Sequence, residues 1–256
     1  MSGVSSQPRI SIRNLAKRFG PREILRDVSI DVPAGRSLVV IGGSGVGKSV
    51  LLKSILGIVR PDGGTISIDG TNILAANART RQDLTRQIGM LFQGAALFDS
   101  LPVWENIAFR LIYGDGQSRN AVRARAEECL ALVGLDPRVA DQMPSELSGG
   151  MQKRAGLARA IASKPEILFF DEPTTGLDPI KADVINTLIS TQVKALGATA
   201  IPITHDMASA LKIADEIAML HDGKLIWRGT PEAIYQSGNP YVDQFINGRA
   251  EGPIGD

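Results

Sequence analysis

Apolar residues in this chain fall into short runs, and the polar positions between them separate two kinds of element. Around residues 10–13, 27–32 and 65–69, apolar positions alternate with polar ones or are β-branched, and Pro and Gly punctuate the stretches between. This predicts an antiparallel sheet near the N-terminus. At 37–41, 88–92, 167–170, 199–203 and 216–220 the runs are almost wholly apolar, as in strands covered on both faces, and helical spacing lies between them. That alternation predicts a parallel sheet with helices on its faces, an α/β core. Between Gly94 and Pro165 the strand signal stops. Helical spacing runs over 103–111, 119–133 and 151–163, so the stretch reads as a helical lobe inserted into the core. Two later helices carry start signals: Asp178 precedes Pro179 with Gly197 past the far end, and Asp206 caps the next. Near the end, Tyr241, Val242, Phe245 and Ile246 share one face of a short amphipathic helix, which could pack on the chain's own core or on a second copy.

Composition narrows the classes. A chain of 256 residues suits one α/β domain or one domain with an inserted lobe. With 28 basic and 27 acidic residues the formal charge is +1, so no nucleic-acid partner is expected. Cys129 is the single cysteine and lies in an Ala/Leu-rich helical pattern, where a buried, inert thiol fits a reducing compartment. No apolar run approaches the roughly 20 residues of a membrane-crossing helix. The Ser-rich start, residues 1–8, has no apolar core of a signal peptide, so a frayed start and a cytoplasmic chain are expected.

Candidate chemistry enters at Gly42-Gly43-Ser44-Gly45-Val46-Gly47-Lys48-Ser49. It fits G-x-x-x-x-G-K-[ST] between the apolar strand 37–41 and a helix at 49–56. Glycines let successive backbone N–H groups converge on phosphate oxygens, and the helix N-terminus adds partial positive charge. Lys48 reaches the β/γ-phosphates and the Ser49 hydroxyl ligates Mg²⁺; Val50 completes the ATP-contacting run. Chance alone yields the pattern in about 1 chain in 100 of this length. The loop serves kinases, GTPases and motors alike, so a second set of residues must name the reaction. Strand 167–170 ends in Asp171 and Glu172, which suits Asp171 to the Mg²⁺ shell and Glu172 to orienting and deprotonating an attacking water.

Leu147-Ser148-Gly149-Gly150-Met151 opens the helix at 151–163, and with it the chain resembles the ATP-binding subunits of ABC transporters. The family's signature usually has Gln where this chain has Met151, with Gln152 one place later. The resemblance covers nearly all of the chain to about Gly238. It implies a P-loop (RecA-like) core with an antiparallel β subdomain and an inserted α-helical lobe: an ATPase domain at 9–247, with core 9–93 and 166–238, lobe 94–165, and a C-terminal extension at 239–256. It further implies that Gln93 touches Mg²⁺ and the water, that His205 contacts the γ-phosphate, and that Phe19 stacks on adenine, with a core Phe as the alternative. Ser148, Gly149, Gly150 and Asp178 are implied to act in trans, since the signature and phosphate loops form one site only in a head-to-tail dimer. Met90 to Leu101 and Val103 to Ile107 look like the ATPase of the bacterial Mla/Mce-associated lipid transporters. That implies ATP and Mg²⁺ as cofactors, and as partners a second copy, an integral membrane permease and an MCE-domain protein; an ABC ATPase for another cargo such as amino acids, or a non-transport ABC ATPase, is the alternative. The subunit would lie peripherally on the cytoplasmic face of the bacterial inner membrane. An exposed Leu97, Phe98, Leu101 and Trp104 cluster would suit permease docking; packing within the lobe is the alternative.

Overall fold

A computed structural model describes residues 7–255; the first six, on which the expectation of a frayed start chiefly falls, lie outside the described residues. The chain divides into two compact units, Met1–Arg86 with Thr199–Asp256, and Gln87–Ala198.

The first unit begins with β1 (Ile10–Phe19) and β2 (Arg22–Val32), paired antiparallel, with Ile10, Ile12, Leu15, Val28, Ile30 and Val32 turned into the core. β1 runs well past the expected 10–13. Its register slips between Ile12 and Leu15, where Asn14 sits at φ 50°, and the bulge shifts the alternation that a period of two depends on. Next come β3 (Leu38–Ile41), all of it buried, α1 (Lys48–Ile55), β4 (Gly63–Ile68), β5 (Thr71–Asn72) and α2 (Ala78–Arg86). β2, β1, β4 and β5 form a four-stranded antiparallel sheet in that order.

The second unit opens with β6 (Ile88–Leu91) and continues through α3 (Val103–Phe109), α4 (Arg119–Leu132) and α5 (Gly149–Ile161), which pack on one another. The helix expected over 103–111 leaves α geometry at Arg110 and continues as a π-helical turn, Arg110–Gly114. Phe109 lies between the rings of Phe98 at 4.4 Å and Tyr113 at 4.7 Å, while Arg110 donates to the Ile88 carbonyl at 3.1 Å. The widened turn meets both demands from adjacent residues. Buried Asn106 bonds both backbone groups of Phe98 and the carbonyl of Leu101, fixing the loop that precedes α3. On that loop Phe98 is 44% exposed and Leu97 and Leu101 are half-buried, as is Trp104 in the first turn of α3. Cys129, on the inner face of α4, is held as a neutral thiol, its pKa pushed up to about 11 by burial. β7 (Ile167–Asp171) then pairs parallel with β6, and α6 (Pro179–Leu196) starts at the Asp178 cap and stops at Gly197.

The chain returns to the first unit with β8 (Thr199–Thr204), α7 (Met207–Ile213) under its Asp206 cap, β9 (Glu216–His221), β10 (Lys224–Gly229) and α8 (Pro240–Asn247). β9 and β8 flank β3 in parallel, and β10 runs antiparallel along β9. The P-loop α/β core and the antiparallel sheet expected of the sequence are both present.

α8 takes the first of the two packings open to its apolar face, against the chain's own unit. Val242 is 0% exposed, Tyr241 lies against the His221 ring at 4.8 Å, and Asn239 donates to the Ile226 carbonyl at 3.1 Å. Gln244, buried although polar, bonds the backbone of Arg249 and Ile254 and folds the tail back. The face read from the sequence is thus spent largely on the chain's own unit, with Phe245 and Ile246 half-buried at its margin. Truncation before Asn239 should uncover the site that Val242 fills. Losing that buried side chain, at about 1.5–3 kcal/mol, should lower the melting temperature by roughly 5 °C in a chain of this size. An unchanged melting curve for the truncated chain would refute this.

Candidate functional site

In the first unit the fold aims the phosphate loop. β3 ends at Ile41, the chain turns through Gly42 to Gly47, and α1 begins at Lys48. The turn requires glycine where its backbone is most constrained. Gly47 has φ 110°, and a Cβ there would lie 2.8 Å from the Ile24 carbonyl oxygen; at Gly42 it would lie 2.3 Å from that of Leu220. Lys48 is buried, its ammonium held over the loop by the carbonyls of Gly42 at 2.7 Å and Gly43 at 2.8 Å. The first turn of α1 carries no acidic residue, so nothing there offsets the positive end of the helix. Phe19 is 50% exposed, which removes the alternative of a core residue, and Lys17 lies 5.1 Å over its ring. With Gly45, Gly47, Lys48, Ser49 and Val50, Phe19 lines a cavity of about 210 Å³. β3 and β8 run in register with Ile41 opposite Thr204, so Gly42 and His205 leave the sheet side by side.

In the second unit β6 and β7 pair in register from Ile88 with Ile167 to Leu91 with Phe170, and this brings the segment carrying Gln93 beside Asp171 and Glu172. Both carboxylates are buried, Glu172 at 9% exposure. Glu172 has φ 47°, a conformation that costs about 1–3 kcal/mol in a side-chain-bearing residue and persists only where the surroundings enforce it. Thr175 donates to its Oε2 at 3.3 Å. Ser148 caps α5, its hydroxyl accepting from Met151 N at 3.4 Å, and Ser148 and Gly149 face outward with Gly150 half-buried beside Lys181. Gln152 donates to the carbonyls of Pro144 at 2.9 Å and Leu147 at 3.4 Å, so it braces the turn before Ser148. Asp178 accepts from Lys181 N at 3.0 Å and pairs with its ammonium at 2.7 Å, which holds the carboxyl below the usual range.

Sequence reasoning passed over Lys153. It lies on the buried stripe of α5 with Leu157, Ala160 and Ile161, and its ammonium donates to the carbonyls of Gln93 at 3.2 Å and Pro173 at 3.0 Å. Burial pushes its pKa down, while the Glu172 carboxylate opposes the shift. A lysine on the i, i+4, i+7 and i+8 stripe of an otherwise apolar helix face was the available signal.

Over residues 25–175, more than half of its length, the sequence matches the ABC transporter family. The chain belongs to that family. It is accordingly an ABC ATPase. It is 41% identical over 248 residues to the "Probable ribonucleotide transport ATP-binding protein mkl" of Mycobacterium leprae, covering 96% of this chain and 71% of that one. It is 39% identical over 245 residues to the intermembrane phospholipid transport system ATP-binding protein MlaF of Escherichia coli, covering 96% and 91%. Among solved structures, the dimeric post-hydrolysis state of the ATP-binding cassette MJ0796 with ADP and Pi superposes with a TM-score of 0.79 at 30% identity, covering 87% of this chain and 98% of that one. CbiO1 of Clostridium perfringens, part of the ABC transporter complex cbiONQ, gives 0.80 at 27% identity, covering 95% and 96%.

Proposed function

We propose that this ABC ATPase is the motor of a lipid-transport system, hydrolysing ATP while a separate permease, working with an MCE-domain protein, moves phospholipid. The observation that carries the reading is the near end-to-end match to two intermembrane phospholipid transport ATP-binding proteins. Identity is 39–40% over 96–97% of this chain and 91–94% of theirs. The relatives named for ribonucleotide transport are 41% identical but are covered over 68–71% of their length, and a ribonucleotide cargo is the second reading.

In this reading Gly42, Gly43, Ser44, Gly45, Val46 and Gly47 wrap the phosphates in backbone N–H groups, Lys48 neutralises the β/γ oxygens, and Val50 and Phe19 flank the nucleoside. Ser49, Gln93 and Asp171 offer only oxygen donors, which suits Mg²⁺. When bound, Mg²⁺ offsets charge on those phosphates. Glu172 takes a proton from the water whose oxygen attacks the γ-phosphorus; the bond to the bridging oxygen breaks and ADP leaves with its electron pair. His205 steadies the γ-phosphate. Ser148, Gly149, Gly150 and Asp178 serve the nucleotide of a second copy in a head-to-tail dimer. We assign the ATPase domain to residues 9–247 (core 9–93 and 166–238, helical lobe 94–165), with 239–256 as a C-terminal extension.

No helix among the described residues is long and apolar enough to cross a membrane. We place the subunit on the cytoplasmic face of the bacterial inner membrane, docked to its permease through the loop bearing Leu97, Phe98 and Leu101. The test is purification with the co-purifying membrane protein and reconstitution in phospholipid vesicles. ATP-dependent transfer of labelled phospholipid between vesicles is expected. Ribonucleotide uptake without lipid transfer would establish the second reading and sink the first.

A further inference from the structure

β6 and β7 stay paired as far as Leu91 and Phe170, and beyond that point the ladder no longer sets the spacing of the two exits. Gln93 lies two residues past β6, and Pro173 directly follows Glu172. The Lys153 ammonium bonds to both segments, to Gln93 O at 3.2 Å and Pro173 O at 3.0 Å, from a side chain 8% exposed. An ammonium is costly to withdraw from water, and an apolar residue would fill this stripe more cheaply, so packing gives no reason for a lysine here. A second cation on the same helix acts on one exit. Arg159 donates to Ala95 O at 2.5 Å and Ala96 O at 2.6 Å, both residues at positive φ, and these bonds stay on the Gln93 side. Gly156 brings α5 close to that segment, since a Cβ there would meet Leu91 Cδ1 at 2.8 Å and Ala95 Cβ at 3.1 Å. Lys153 adds the link to the Glu172 side.

We infer that Lys153 is a positioning residue for hydrolysis, its ammonium holding the Gln93 and Glu172 segments at one spacing and tying both to the helix that starts at Ser148. Fixing the Pro173 carbonyl fixes the Pro173–Thr174 peptide, one residue beyond Glu172, and so limits how far the segment that carries the Glu172 carboxylate can turn. The same strut makes a shift of the signature helix move Gln93 and Glu172 together. The inference rests on the roles proposed above for Gln93 and Glu172.

The test is steady-state ATPase kinetics of the full chain with Met, Gln and Arg at position 153, beside direct ATP-binding measurements. Lys153→Met should lower kcat by about tenfold to a hundredfold, the scale of a displaced catalytic group, with KM for ATP within about twofold because the Gly42–Val50 loop is untouched. Lys153→Gln, which can bond one carbonyl, should fall between Met and the parent. Lys153→Arg, which keeps a cation and several donors, should recover most of kcat. A purely structural role would reduce the amount of folded protein without a ranking by donor capacity. A Lys153→Met chain with kcat within twofold of the parent overturns the inference, as does equal impairment by Met and Arg. If the Met variant does not fold, Lys153→Gln decides, and parental kcat in that folded variant overturns the inference. Glu172→Gln separates the two levels: if it keeps turnover, the proposed hydrolysis site is wrong, whereas an inactive Glu172→Gln beside an active Lys153→Met refutes only the role of Lys153.

Discussion

Glu172→Gln should bind ATP as tightly as the parent chain and hydrolyse it about 10²–10⁴ times more slowly, the range a general base contributes. The side chain is buried and accepts a hydrogen bond from Thr175 at 3.3 Å, and glutamine offers a carbonyl oxygen of the same reach for that bond. The backbone at φ 47° is equally strained with either residue, so the exchange removes the base and leaves the scaffold. In the proposed site, nucleotide affinity comes from a different part of the chain, the loop between β3 and α1, which the substitution does not touch. With binding intact and cleavage blocked, the variant should accumulate as an ATP-bound dimer in size-exclusion chromatography with Mg²⁺. Turnover within a few-fold of the parent by the pure variant would remove Glu172 from the role of base.

The legible parts of this site are those where a short motif and an apolar strand coincide. The loop at Gly42 and the carboxylates at Asp171 and Glu172 each follow a strand so apolar that its burial was readable, and the structure has them there. The capped starts at Asp178 and Asp206 were legible for a similar reason, because an N-cap works through a local bond. Elements without such signals were missed. α2 buries only Leu84 and is otherwise polar and Arg-rich, so no apolar stripe announces it. β10 is mostly half-exposed along the edge of β9, which leaves its alternation weak. Lys153 stands out on its apolar stripe, but its partners were illegible for a different reason: they are carbonyls 60 and 20 residues away in sequence, and a bond to backbone leaves no residue-type pattern at the far end. The turn at Arg110 was hidden likewise, since an Ile88 carbonyl and a Phe98 ring are tertiary demands.

Mixing two impaired variants, at an ATP concentration too low to fill the Lys48→Ala site, should restore ATPase activity, which tests the dimer directly. Lys48→Ala removes the ammonium now held between the Gly42 and Gly43 carbonyls and, with it, charge-assisted bonds worth about 1.5–3 kcal/mol to the phosphates. ATP affinity should fall by roughly ten- to a hundredfold. Ser148→Arg acts elsewhere. Ser148 is exposed at the start of α5, so an arginine fits there in the single chain at the cost of the cap, about 1 kcal/mol, while Lys153 and Arg159 keep the helix anchored. Its bulk would occupy the space that a second copy's γ-phosphate must enter. Each homodimer therefore carries a lesion in both sites. In a mixed head-to-tail dimer one site draws its phosphate loop from the Lys48→Ala chain and its signature from the Ser148→Arg chain, so both lesions fall together and the other site is whole. Random 1:1 mixing makes half the dimers mixed, and with independent sites the mixture should recover about a quarter of the parental rate. The mixed dimer should also bind one ATP with parental affinity, which separates an intact but idle site from a damaged one. A verified mixed dimer with no site of parental affinity would mean that the two loops belong to the same chain's site, and the head-to-tail arrangement would be wrong.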